Sequence, residues 1–158
     1  VTDENGDILL HTGSEDFTEQ PIPADMLAEM DADAFVFDAF SNPSAGEIEE
    51  RLDAFVATVR KAHPSTPLIF IQTEVRETVN FNLRARKFES DKRAAAEAGI
   101  RRLMKDDRNI YFIDSRGMIG TDHLGTVDGS HPSDQGFMYM TRHLEPQLRK
   151  IFRKYGIR

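Results

Sequence analysis

The chain has 158 residues, 39% of them apolar and 30% charged, with no cysteine and a formal net charge of −7. A chain of this size builds one hydrophobic core and leaves too little for a second, so a single domain over residues 1–158 is expected. Without cysteine there is no disulfide, no thiolate nucleophile and no cysteine-held metal, while the acidic balance argues against nucleic acid and no apolar run is long enough to span a bilayer.

The first seven residues carry neither a basic nor an apolar segment, so no signal peptide is visible, and a start at Val1 in place of Met suggests a trimmed chain. The compartment stays open, with a secreted or periplasmic location compatible. Ile8, Leu9 and Leu10 can make a short strand before the polar stretch up to Gln20. Pro21 and Pro23 then introduce a short helix over residues 24–30. Residues 34–40 are apolar nearly throughout and bounded by polar turns, which suits a strand buried on both faces of a parallel sheet.

Ser41, Asn42 and Pro43 break that strand, and Ile48, Leu52, Phe55, Val56 and Val59 recur at helical spacing over residues 46–62. Residues 63–67, with two prolines, end the helix, and residues 68–71 form a second buried strand, completing a β-α-β unit. Residues 81–105 predict one long helix or two, with Leu83, Phe88, Ala95, Ile100 and Leu103 as inward positions and residues 84–93 as a solvated, ion-paired face, on which Arg84 or Arg86 could alternatively meet an anionic substrate. Residues 109–114 are the third strand. A loop with four glycines follows over residues 115–130, and loops of that length are usually functional. The terminal helix places Phe137, Met140, Leu144, Leu148, Ile151 and Phe152 on one stripe, with basic residues near its C-terminus where the helix dipole favours them.

The chemistry concentrates at the end of that loop, in Gly125-Thr126-Val127-Asp128-Gly129-Ser130-His131-Pro132-Ser133-Asp134-Gln135-Gly136-Phe137. Asp128 and His131 stand three residues apart, so in a tight loop the carboxylate can accept from one imidazole nitrogen and leave the other to take a proton from a hydroxyl nucleophile. Pro132 fixes the backbone after His131, and Ser133 or Asp134 can cap the next helix. At the tail of the first strand, Asn42 could offer a side-chain amide to a developing oxyanion, or serve as a turn and cap residue. A zinc or manganese site from Asp122, His123, Asp128 and His131 is the other chemical option, although the loop has no helical pair of histidines. His11, His63 and His143 read as structural and His123 as a solvated loop residue.

The D-x-x-H-P string followed by Gly-Phe and a terminal helix resembles the last motif of the SGNH/GDSL-type hydrolases. The resemblance covers approximately residues 21–152 and leaves residues 1–20 poorly matched. It implies a flavodoxin-like three-layer α/β/α sandwich with a short parallel sheet, which would lack its first strand in these residues. It also implies His131 as base, Asp128 as its orienter, and Asn42 with Gly13 in the oxyanion hole, with no cofactor. The family's nucleophile is a serine in a Gly-Asp-Ser-like motif after the first strand, and no Gly-Asp-Ser occurs here. Gly6-Asp7 is followed by Ile8, and Ser14 lacks the strand and helix that bracket a nucleophile elbow. Three readings follow: part of an active esterase whose nucleophile is unknown and lies upstream, acting on a small-molecule or carbohydrate ester; a non-catalytic ligand-binding relative; or a coincidental α/β domain. The sequence is silent on oligomeric state.

Overall fold

A computed structural model of the chain describes residues 24–157. The suggested strand at Ile8, Leu9 and Leu10 lies outside the described residues, as do His11, Gly13 and Ser14. Helix α1 (Ala24–Glu29) leads into strand β1 (Phe35–Phe37), helix α2 (Ala45–Ala62) and strand β2 (Leu68–Ile71). A 3₁₀ turn (Glu77–Asn80), helix α3 (Leu83–Asp106), strand β3 (Ile110–Ile113) and helix α4 (Asp134–Phe152) follow, ending in a second 3₁₀ turn (Arg153–Tyr155).

The strands lie side by side in the order β1-β2-β3, all parallel, with Phe35, Leu68 and Ile110 in register. Alternation along each strand sorts the side chains into two cores, because successive Cβ atoms point to opposite faces. Phe35, Leu68, Phe70 and Ile110 join Ile48, Leu52, Val56, Val59, Ala96 and Ile100 of α2 and α3 on one face. Ile69 and Ile113, with Val36 and Tyr111, meet Leu144, Leu148, Ile151 and Phe152 of α4 on the other. This is the three-layer arrangement. Because β2 is covered from both sides, all four of its residues are buried, which is why it reads as a continuous apolar run.

Local signals set the ends of the helices. Ser44 and Glu47 form a reciprocal capping box at the start of α2, and Asn82 accepts from the backbone N–H groups of Arg84 and Ala85 at the start of α3. At the other end of α2, His63 is the C-cap, and its Nε2 lies 3.1 Å from the Leu27 carbonyl oxygen. Among the described residues no helix is long and apolar enough to cross a membrane.

Three expectations need correction. Strand β1 is shorter than residues 34–40, since only Phe35 to Phe37 have partners on β2; Ala39 and Phe40 are nevertheless buried beyond its end. Residues 83–106 form one helix, but Leu83 and Phe88 are exposed while Glu89 and Lys92 are buried, so the presumed solvated face carries part of the interior. Glu89 and Lys92 tolerate burial because they pair with each other, 2.9 Å apart. On α4, Phe137 is exposed and the contact with the sheet is made nearer the C-terminus, through Leu144, Leu148, Ile151 and Phe152.

Phe70 is fully buried, its ring centroid 4.8 Å from that of Phe37 and 6.0 Å from that of Phe40. Truncation there removes a large side chain from the most tightly enclosed strand. Phe70→Ala is expected to destabilise the fold by about 3–5 kcal/mol in urea denaturation, and a loss below about 1 kcal/mol would contradict this account of the core.

Candidate active site

Because both sheet faces are apolar, polar side chains collect where the strands end. The carboxyl end of β2 continues as Gln72-Thr73-Glu74, all buried. Their polar groups are answered by α3 and by the segment after β3. Gln72 Nε2 donates to the Arg93 carbonyl at 2.9 Å, and the Ser115 hydroxyl donates to the Thr73 carbonyl at 2.5 Å. Arg93 Nη1 donates to the same Thr73 carbonyl and, at 2.7 Å, to Ser115 Oγ. These bonds fix the platform from which the site loops rise.

The loop of residues 125–134 is a chain of short-range hydrogen bonds. Asp128 Oδ1 accepts from the backbone N–H groups of Ser130 and His131 at 2.9 and 2.8 Å, while Oδ2 lies 2.6 Å from His131 Nδ1. A single carboxylate thus shapes the turn and orients the imidazole. Gly129 supplies the positive φ of 83° that the turn requires, and the Val127 N–H donates to the His131 carbonyl across it at 2.9 Å. Ser133, not Asp134, is the N-cap of α4, accepting from the Gly136 N–H at 3.1 Å and donating to the Leu124 carbonyl at 2.6 Å. The His131 side chain is 78% exposed and its Nε2 has no partner among the described residues.

Two backbone N–H groups and the imidazole hold the Asp128 carboxyl well below the usual carboxylate range, at about 2, with the His131 backbone N–H the largest cause, then the His131 side chain and the Ser130 N–H. Asp128 therefore stays ionised over the whole range in which a histidine titrates. That is the state in which it orients an imidazole and stabilises an imidazolium.

Asn42 stands at the carboxyl end of β1, followed by the fully buried Pro43. Its Oδ1 accepts from Arg76 Nη2 at 3.3 Å, a group from the segment after β2. The next residue, Glu77, reaches the histidine loop: Oε2 accepts from the Thr126 hydroxyl at 3.0 Å, and Oε1 lies 2.8 Å from Nδ1 of His123. The Thr78 N–H donates to the Gly129 carbonyl at 3.2 Å. Asn42 and the Asp128–His131 pair therefore belong to one end of the sheet, connected through residues 76–78.

Arg76 and Glu77 are missing from the sequence-level site. Their signal is the abrupt change from the apolar residues 68–71 to Glu74, Arg76 and Glu77, which marks β2 as a third strand tail worth reading. Other expectations shift in detail. His123 is exposed but has a positive φ of 63° and pairs with Glu77, and His143 is half-buried with Nε2 2.6 Å from the Asp114 carbonyl oxygen. Of the four residues considered for a metal, Asp122 accepts from the Tyr139 hydroxyl at 2.5 Å, His123 lies against Glu77, and Asp128 and His131 pair with each other, and no group of three ligating side chains converges among the described residues.

A model of the GDSL-like lipase/acylhydrolase family matches residues 16–149. The chain belongs to that family. A crystal structure of a protein from Bacteroides ovatus ATCC 8483, assigned as a GDSL-like lipase, superposes with a TM-score of 0.79 at 46% identity over 82% of this chain. The chain spans 39% of the length of that protein. The salicylyl-acyltransferase SsfX3 from a tetracycline biosynthetic pathway shares the fold, with a TM-score of 0.62 at 16% identity, over 81% of this chain and 40% of its own. No curated protein matches. The α/β fold expected from the late Asp-x-x-His-Pro string is thus that of the GDSL-like family.

Two measurements test this loop. The folded Asp128 value lies below the unfolded one, so its ionised form stabilises the loop above about pH 4 and that contribution disappears as pH falls through about 2. The ¹³C carboxyl shift of Asp128 should titrate with a midpoint near 2; a midpoint near the free aspartate value would mean that the loop bonds do not form. Separately, a Cβ at Gly136 would sit 2.0 Å from the Gly125 carbonyl oxygen. Gly136→Ala should therefore cost about 1–3 kcal/mol in stability and move the Asp128 midpoint upward.

Proposed function

We propose that this GDSL-like domain is the base-bearing part of a serine esterase that hydrolyses a carboxylic ester through an acyl-enzyme. The observation that carries the reading is the 2.6 Å contact between Asp128 Oδ2 and His131 Nδ1, which leaves Nε2 open. In this scheme the nucleophilic serine comes from sequence outside these 158 residues. His131 Nε2 takes the hydroxyl proton as the oxygen attacks the ester carbonyl, and returns it to the leaving alkoxide. Water then repeats the sequence on the acyl-enzyme. Asn42 Nδ2 donates to the tetrahedral oxyanion, and Gly13, outside the described residues, supplies a backbone N–H. The polar groups around the pair suit a hydroxyl-rich leaving group, so an acyl or acetyl group on a carbohydrate is the substrate class we favour.

In the full-length protein, His131→Ala should lower p-nitrophenyl acetate turnover by at least about 10³-fold, since the base acts in both half-reactions. Unchanged turnover would remove His131 from the mechanism. The absence of Gly-Asp-Ser from these residues supports a second reading, a ligand-binding relative that lost its nucleophile. A fluorophosphonate probe separates the two: covalent capture of one serine supports the esterase, and binding of an ester without capture or turnover supports the binding domain.

A further inference from the structure

A buried ionic cluster sits directly behind Asn42. Lys92 Nζ, in a side chain with no exposed surface, donates to the Ser41 carbonyl at 2.7 Å and lies 2.9 and 2.8 Å from the two carboxylate oxygens of Glu89. Arg76 Nη2 donates to the same Ser41 carbonyl at 2.8 Å and to Asn42 Oδ1 at 3.3 Å, with Nη1 3.5 Å from Glu89 Oε1. Two cations from different elements thus converge on the peptide carbonyl that precedes Asn42, and one of them also holds its side chain. Burying an ammonium is costly, and desolvation pulls Lys92 below its ordinary range against the opposing pull of Glu89. A surface-face role for residues 84–93 does not explain such an arrangement.

We propose that Arg76 and Lys92 are positioning residues that preset Asn42 as an oxyanion donor, a role that rests on the esterase reading above. The reasoning is one of donors and acceptors. A guanidinium has five N–H donors and no acceptor, so the Asn42 atom that faces it must be the carbonyl oxygen. The Nδ2 amino group is then on the side of the amide away from Arg76, with no hydrogen-bond partner among the described residues. Without the guanidinium the amide could rotate about χ2 and turn oxygen toward the developing oxyanion, where it would repel. Lys92, buried against Glu89, fixes the backbone from which the side chain is hung. The device supplies preorganisation, which determines how much an oxyanion donor contributes.

Kinetics of five full-length proteins test this: wild type, Asn42→Ala, Arg76→Met, Arg76→Lys and the double variant Asn42→Ala/Arg76→Met. Arg76 is chosen because its side chain is 24% exposed and its loss leaves the Lys92–Glu89 pair intact. Asn42→Ala should lower kcat by about 10²-fold or more. Arg76→Met should lower kcat by about 10-fold or more with KM changed less than about threefold, and Arg76→Lys, which keeps the charge but not the fork, should fall between. The double variant should be no slower than Asn42→Ala, because Arg76 acts through Asn42. Multiplying losses would overturn the positioning role while leaving Asn42 in the site, whereas an unaffected Asn42→Ala enzyme would refute the oxyanion assignment itself and the positioning role with it. A second measurement needs no turnover: the Asn42 side-chain ¹⁵N amide, assigned by its disappearance in Asn42→Ala, should show a rigid heteronuclear NOE in wild type and a mobile one in Arg76→Met. Equal rigidity in both would overturn the proposal.

Discussion

Burial of the sheet on both faces is the constraint from which the site follows. With Ile69 against α4 and Leu68 and Phe70 against α2 and α3, no polar side chain fits within β2. Polar chemistry is displaced to the strand ends, where the chain leaves the apolar layers but its backbone groups are still buried. Those groups must find partners inside the protein, since an orphaned buried amide or carbonyl costs about 1–3 kcal/mol. Ser115 and Arg93 answer the Thr73 carbonyl, and Lys92 and Arg76 answer that of Ser41. The groups that close the end of the sheet are therefore the same groups that hold the loops of the site in place.

Two of these three cations, Lys92 and Arg93, come from α3, which explains why that helix departs from its simple amphipathic pattern. One of its faces carries Ala95, Ala96 and Ile100 into the core, while one turn earlier Glu89 and Lys92 enter the layer where strand ends need donors. Small alanines let the helix approach the sheet closely, and the long lysine spans the remaining distance to Ser41. An exposed pair such as Lys87–Asp91, 2.6 Å apart on the same helix, contributes little because water screens it. The buried pair is different in kind: removing either member strands the other charge in a dry environment.

How far the sequence reveals this depends on whether the relevant signal is local. The strands near 35, 68 and 110 are legible because apolar runs bounded by turns have few alternatives, and the three-residue spacing of Asp128 and His131 in a Gly- and Pro-marked loop is enough to foresee their contact. Glu89 and Lys92 are not legible in the same way. A charged residue on an Arg- and Lys-rich helix defaults to solvent, and its burial is decided by a carbonyl 51 residues away. Arg76 and Glu77 escape for a related reason, since their partners are Asn42, Ser41, His123 and Thr126, all distant in sequence. The family resemblance supplies roles for residues within motifs and has nothing to say about what braces them.

The two halves of the site are braced by opposite means. Asn42, itself exposed, is held by charge through the partly exposed Arg76, while the buried Lys92 of the Lys92–Glu89 pair holds the Ser41 carbonyl before it. Asp128 and His131 lie in the open, where a salt-bridge contact alone would be weak. Their order comes from backbone instead. Gly136 in the first turn of α4 packs on the Gly125 carbonyl, and Gly125 packs on that of Ile119, each with room for no Cβ. The helix, the loop and the segment after β3 therefore interlock at main-chain distance, with Ser133 bonded to both sides of the junction. Backbone interlocking thus fixes the origin of the His131 imidazole without enclosing its far edge, which stays exposed.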